Sequence, residues 1–152
     1  MAGKAELWRA EEEGWRAFAA ALDGIAEPAC TQVGYTAEWS VKDVVGHVGC
    51  WHAEAVQVFE QIRSGTFRSE PVDVDAMNAG FVEALRDQPV AVVKAECFAS
   101  RARFLREFDL LTEVGADAEE WFVECGSAHY ADHTPRLAQW AKELRAGAGN
   151  GP

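Results

Sequence analysis

A chain of 152 residues, 49% hydrophobic and 26% charged, is long enough for one domain with a real core and too apolar for a disordered segment. With 14 Lys and Arg against 25 Asp and Glu the formal charge is −11, which argues against nucleic acid or anionic lipid as partners, since both recruit basic side chains. No apolar run reaches the roughly 18 residues that span a bilayer, and the charged N-terminus is unlike a secretion signal; the expectation is a cytoplasmic protein without membrane or nucleic-acid contacts, its four cysteines free thiols.

The first amphipathic stretch, about Lys4 to Leu22, puts Leu7, Trp8, Trp15, Phe18, Ala19 and Leu22 on one side and leaves Glu11, Glu12, Glu13 and Arg16 to solvent. Asp23-Gly24 breaks it before Pro28, and Ala29 to Trp39 reads as a loop. A second helix starts cleanly: Ser40 is a good N-cap and Asp43 places negative charge in the first turn. Its stripe of Val41, Val44, Val45, Val48, Trp51, Ala55, Val58, Phe59 and Ile62 runs through Arg63, where Ser64-Gly65-Thr66 stops it.

Asp73 or Asp75 caps a short third helix to about Arg86, interrupted by Asp87-Gln88-Pro89. The fourth helix starts near Pro89 and buries Val93, Cys97, Phe104, Leu105, Phe108 and Leu111, with Arg101, Arg103, Arg106 and Glu107 outside and Gly115 as a left-handed terminator. One long last helix is expected from about Asp117 to Leu144, kinked near Pro135. The reading is all-α: an up-and-down four-helix bundle with an additional short helix, one domain over residues 1–146 and a flexible tail over 147–152.

Four histidines carry most of the chemical information. His129 and His133 are four apart, so they stack on one helix face, which on a continuous helix also carries Phe122, Cys125, Trp140 and Leu144. Buried imidazoles need hydrogen bonds or a metal, and such a pair can offer two nitrogens to one cation, about 2.0–2.1 Å away for zinc. A third ligand must come from the second helix. Periodicity puts His52 near the centre of that helix's apolar stripe and His47 on its edge beside Trp51 and Glu54, and leaves both open.

The stretch Trp39-Ser40-Val41-Lys42-Asp43-Val44-Val45-Gly46-His47-Val48-Gly49-Cys50-Trp51 resembles the second-helix signature of the DinB/YfiT-like superfamily. His129-Tyr130-Ala131-Asp132-His133, followed by Pro135 and Trp140, resembles its closing-helix signature, and Asp75-Ala76-Met77-Asn78-Ala79 its short third helix. The superfamily includes four-helix-bundle metalloenzymes, the N-terminal domain of mycothiol-dependent maleylpyruvate isomerase and the genotoxin self-protection (ClbS/DfsB-like) proteins. The resemblance implies a divalent metal ion (zinc, nickel or iron) held by His47, His129 and His133. It also implies metal-dependent action on a small electrophilic molecule, as a thiol (mycothiol or bacillithiol) S-transferase or isomerase, or as a hydrolase. The chain departs from mycothiol-dependent maleylpyruvate isomerase in lacking that protein's extra C-terminal domain.

Around this triad, Trp51 and Trp140 are candidate pocket walls and His52 a core or pocket-wall histidine. Glu54 is a candidate acceptor for an imidazole N–H, or a solvated helix charge. Cys125 is a candidate ligand or nucleophile, more often a small core residue, and Arg136 would steer an anionic substrate or pair with a carboxylate. The expected partners are a small-molecule substrate and a low-molecular-weight thiol, with a homodimer through an exposed apolar helix face as a further expectation. The competing class is a non-enzymatic metal or small-ligand binding bundle. An open coordination site beside a lined cleft favours the enzyme; a filled core favours the binder.

Overall fold

The computed structural model describes residues 2–149, which contain six α-helices and no strand. They are α1 (Lys4–Asp23), α2 (Val41–Ser64), α3 (Val74–Leu85), α4 (Val90–Asp109), α5 (Ala116–Cys125) and α6 (Ser127–Ala148), with one 3-10 turn over Glu27–Thr31. The four long helices form the bundle: α2 packs along α4 and α1 along α6, while α3 and α5 both lean on α2. No helix among the described residues is long and apolar enough to cross a membrane.

Capping fixes the start of α2. Ser40 accepts from the Asp43 amide and the Asp43 carboxylate accepts from the Ser40 amide, a reciprocal box that satisfies two orphan donors. Gly65 closes the helix at φ 73°, the left-handed conformation expected there. Asp73 caps α3 by accepting from the Ala76 amide. Gly49 allows a close approach of α2 to α4: a Cβ at this position would lie 2.9 Å from the Cys97 Cα.

The core divides into two clusters that meet on α2 between Val48 and Trp51. One gathers Phe18, Leu22, Val44, Val48 and Leu137; the other gathers Phe59, Phe104, Phe108 and Phe122, with the Phe104 and Phe122 rings stacked nearly parallel at 4.9 Å. Each such side chain contributes roughly 1.5–3 kcal/mol of burial.

Several expectations need correction. The long last helix is two helices, broken at Gly126 rather than bent at Pro135, which sits inside an unbroken α6. A Cβ on Gly126 would meet the Phe122 carbonyl oxygen at 2.6 Å and Glu11 Cγ at 3.3 Å, so the chain can turn between α5 and α6 against α1 only with glycine there. Gly115 does not close α4 in a left-handed conformation; α4 ends at Asp109, and Gly115 is the extended N-cap of α5. The helix α6 reaches Ala148, beyond the tail boundary at 147, and residues 150–152 of that tail lie outside the described residues.

Two charges expected in water are buried. Glu11 is fully enclosed because it continues the Leu7–Trp15–Phe18–Leu22 stripe of α1, and Arg101 of α4 grips it through Nε (2.8 Å) and Nη2 (2.6 Å). The same Oε1 accepts from Tyr130 at 2.8 Å, and Arg101 covers the Trp15 ring. Glu107 is buried and paired with Arg63 at 2.8 Å. A charge on a core stripe is tolerated when its partner is built in.

Candidate metal centre and its cavity

His47 comes from the second turn of α2, and His129 and His133 from the first two turns of α6. Their rings converge: His47 lies 4.7 Å from His129 and 5.1 Å from His133, and the two α6 rings are 4.9 Å apart between centroids. One nitrogen from each falls within 4.8 Å of the others. The Nε2 atoms of His47 and His129 face each other at 2.7 Å, so only one can carry a proton and at least one bare lone pair points into the cluster. Tyr35 hydrogen-bonds His133 Nδ1 at 2.7 Å, which leaves Nε2 as the nitrogen available to the centre.

The electrostatics keep these rings neutral. Burial lowers His47 to about 4, with the neighbouring His133 adding to the effect and the nearby Asn78 carboxamide opposing it. Burial, then His47, His133 and His52, push His129 down to about 2. His133 is lowered by burial and partly restored by Asp132. Neutral imidazoles with inward lone pairs are the donor set a divalent cation requires. The Nδ1 atoms of His47 and His129 are buried without a partner, so nothing on the far side of those rings fixes a tautomer that would deny Nε2 to a cation. The residues present fit a metal ion.

The cluster opens on a cavity of about 500 Å³. Its walls are Trp51, Trp121, Val72 and Val74, and its floor includes Cys125, His47, His129 and His133. The Trp51 indole donates to Asn78 Oδ1 at 2.9 Å, which fixes the ring and sets Asn78 beside His47. The volume suits a small organic molecule.

The other expected site residues divide. Trp51 and Cys125 line the cavity, but burial holds the Cys125 thiol up at about 12, in the state of an inert core cysteine. His52 is not a wall residue: it is fully enclosed, stacked on Phe104 at 5.0 Å, and donates Nε2–H to the Tyr130 oxygen at 2.7 Å, since that hydroxyl gives its proton to Glu11. Burial lowers His52 to about 3. Glu54 lines a neighbouring hollow rather than this cavity. Arg136 and Trp140 face away, toward the loop before α2; Arg136 donates to the carbonyls of Gly34 and Tyr35 and pairs with Glu143, and Trp140 packs on Gly34. The reason is phase. The break at Gly126 turns α6 so that Tyr130, Leu137 and Ala141 are its deepest residues, and the two histidines flank that stripe half-buried instead of filling it.

Tyr35, Trp39, Asn78 and Trp121 also belong to the site, and the sequence pattern does not mark them. Trp39 packs against His47 at 4.9 Å. Tyr35 and Trp39 lie in irregular chain, where no periodicity marks a facing side. The signal available for Asn78 was its polarity on the inner side of a short helix.

No curated protein matches the sequence. Among solved structures, the fold is similar to the crystal structure of an uncharacterised protein from Escherichia coli UTI89, with a TM-score of 0.79 at 18% identity over 93% of this chain and 94% of that one. Residues 8–141 match the family described as mycothiol maleylpyruvate isomerase N-terminal domain. That span takes in the three clustered histidines, all of α2 and α4 and most of α1 and α6, and the chain belongs to this family within the DinB/YfiT-like superfamily.

Proposed function

We propose that this protein is a metal-dependent enzyme in which His47, His129 and His133 hold a divalent cation at the floor of the cavity and a small electrophile reacts there with a thiol or with water. The observation that carries the reading is the convergence of three neutral imidazoles, from two helices, at the base of an open cavity of about 500 Å³. Three protein ligands leave room for an exogenous one, as in catalytic rather than closed structural sites. When bound, the cation supplies Lewis acidity that lowers the pKa of a thiol or water beside it.

The chain's own residues do the rest. Tyr35 holds the His133 ring in place through Nδ1. Trp39 packs on His47 from the loop side, and the Trp51–Asn78 hydrogen bond keeps an apolar wall beside it, which excludes bulk water from one side of the site. Cys125 is held as a thiol and is not the nucleophile in this reading. The family's name points to mycothiol, which makes a low-molecular-weight thiol the leading external nucleophile over water.

Cobalt(II) substitution tests this directly. Cobalt-loaded protein titrated with a low-molecular-weight thiol is expected to gain a sulfur-to-cobalt charge-transfer band that saturates at one thiol per chain. A cobalt spectrum indifferent to thiol contradicts thiol activation, and failure to bind cobalt at all contradicts the metal centre.

A further inference from the structure

Arg136 lies outside the cavity, yet His133, Arg136 and Trp140 follow one another along α6 at the i, i+3 and i+7 positions of one helix face. Arg136 lays its guanidinium fork on two successive carbonyls of the irregular chain before α2: Nε donates to Tyr35, and Nη2 donates to Gly34 at 2.7 Å. One turn further, Trp140 packs on Gly34, which is held at φ 144°; a Cβ there would lie 2.3 Å from the indole. The hydroxyl of the same Tyr35 returns to α6 and meets His133 Nδ1 at 2.7 Å. The circuit closes on itself: α6 grips the backbone of the residue whose side chain holds the α6 histidine.

The two ends of this segment are anchored differently. Its later end is locked locally: the amides of Gly34 and Thr36 both donate to the Trp39 carbonyl, Thr36 Oγ1 accepts from the amides of Glu38 and Trp39, and Ser40 follows in its capping box. Trp39 is thereby kept on His47 without help from α6. At the earlier end the carbonyls of Gly34 and Tyr35 find no donor but Arg136 among the described residues, and Tyr35, at 3% exposure, has little access to water in exchange. The ion pair of Arg136 with Glu143, at 3.0 Å, lies at the surface and gives no reason for the fork on the two carbonyls.

We infer that Arg136 is a positioning residue of the metal centre: by fixing the Gly34–Tyr35 backbone it sets the Tyr35 hydroxyl on His133 Nδ1 and so aims His133 Nε2 at the site. This rests on the reading of His47, His129 and His133 as the ligands of a cation. Gly34 serves the same end from the Trp140 side of the loop. The planar fork is what reaches both carbonyls at once, and a lysine ammonium does not reproduce it.

The test first reads His133 in metal-free protein, by long-range proton–nitrogen NMR of the imidazoles in wild type, Y35F, R136M and G34A, each checked for its helical circular dichroism. Y35F defines how the His133 Nδ1 resonance moves when its hydroxyl partner is gone. R136M, which leaves Gly34 and Trp140 in place, and G34A, which leaves Arg136 in place, are both expected to move it in that same direction. Zinc affinity is then measured by chelator competition. R136M is expected to weaken it about three- to tenfold, and R136M/Y35F to bind no more than about twofold worse than Y35F alone, because both losses pass through one hydrogen bond. A His133 Nδ1 resonance unmoved in whichever of R136M and G34A folds, or zinc losses that multiply in the double variant, overturns the inference. Wild type that binds no zinc overturns the metal centre instead, and the nitrogen spectra still decide whether Arg136 positions His133.

Discussion

Tyr35 shows how much of this site hangs on single hydrogen bonds from unremarkable chain. Its hydroxyl reaches across to His133 Nδ1 at 2.7 Å, and burial raises its own pKa to about 12, so it stays a neutral partner throughout the working range. Outer partners of this kind orient a ligating imidazole, and their loss typically weakens metal binding about 10- to 100-fold. The substitution Tyr35→Phe is therefore expected to lower zinc affinity by at least about tenfold in a competition titration with a chelator, with the thermal midpoint of the metal-free protein changed little. An unchanged affinity contradicts the role given to Tyr35. At this scale the sequence was legible in part. The helical spacing of His129 and His133 and the edge position of His47 beside Trp51 were readable from periodicity, and the resemblance chose His47 over His52. Tyr35 was not readable, because its partner is 98 residues away in sequence and the loop that carries it has no repeating pattern.

Between α5 and α6 the element scale decides the geometry. Capping signals at Ser40 and Gly65 set α2 correctly, since each is a local contest between a side chain or a φ angle and the helix. Proline is a helix breaker by rule, yet Pro135 sits inside α6, while Gly126, which ends one helix and begins the next, carries no mark in the sequence except its size. Glu11 is a related case: its charge points to solvent, but its position continues the core stripe, and the distant Arg101 and Tyr130 satisfy it there. The prediction at this scale is for Gly126→Ala. Its Cβ would press on the Phe122 carbonyl and Glu11, so a loss of roughly 1–3 kcal/mol is expected in denaturant unfolding, with weaker metal binding as α6 shifts. Full stability together with unchanged metal affinity contradicts the account of the break.

Over the whole molecule, the bundle buries three imidazoles whose ordinary pKa near 6.5 is pushed down to about 4 for His47, about 3 for His52 and about 2 for His129. Folded chains therefore hold these rings neutral while unfolded chains protonate them below about pH 6.5. The unfolded state then binds more protons, so stability rises with pH through this window and is fully present above it. Metal-free protein is expected to lose about one kcal/mol per pH unit per histidine as pH falls from 6.5 toward 4, read from urea midpoints. A flat profile between pH 6.5 and 4.5 contradicts the neutral buried cluster. Fold class and the four long helices of the bundle were legible at this scale from amphipathic stripes, but not the separate α5; nor was the cavity, because it is assembled by α2, the loop before α3, α3, α5 and α6 together.

Elemental analysis of untagged protein, reloaded with zinc, nickel and iron in turn and freed of excess metal, tests the metal centre most directly. The account predicts close to one metal ion per chain for wild type with at least one of these metals, and loss of that ion in His129→Ala and His133→Ala variants that keep their helical circular dichroism. Wild type without stoichiometric metal after all three reloadings, or variants that retain it, would contradict the assignment of His47, His129 and His133.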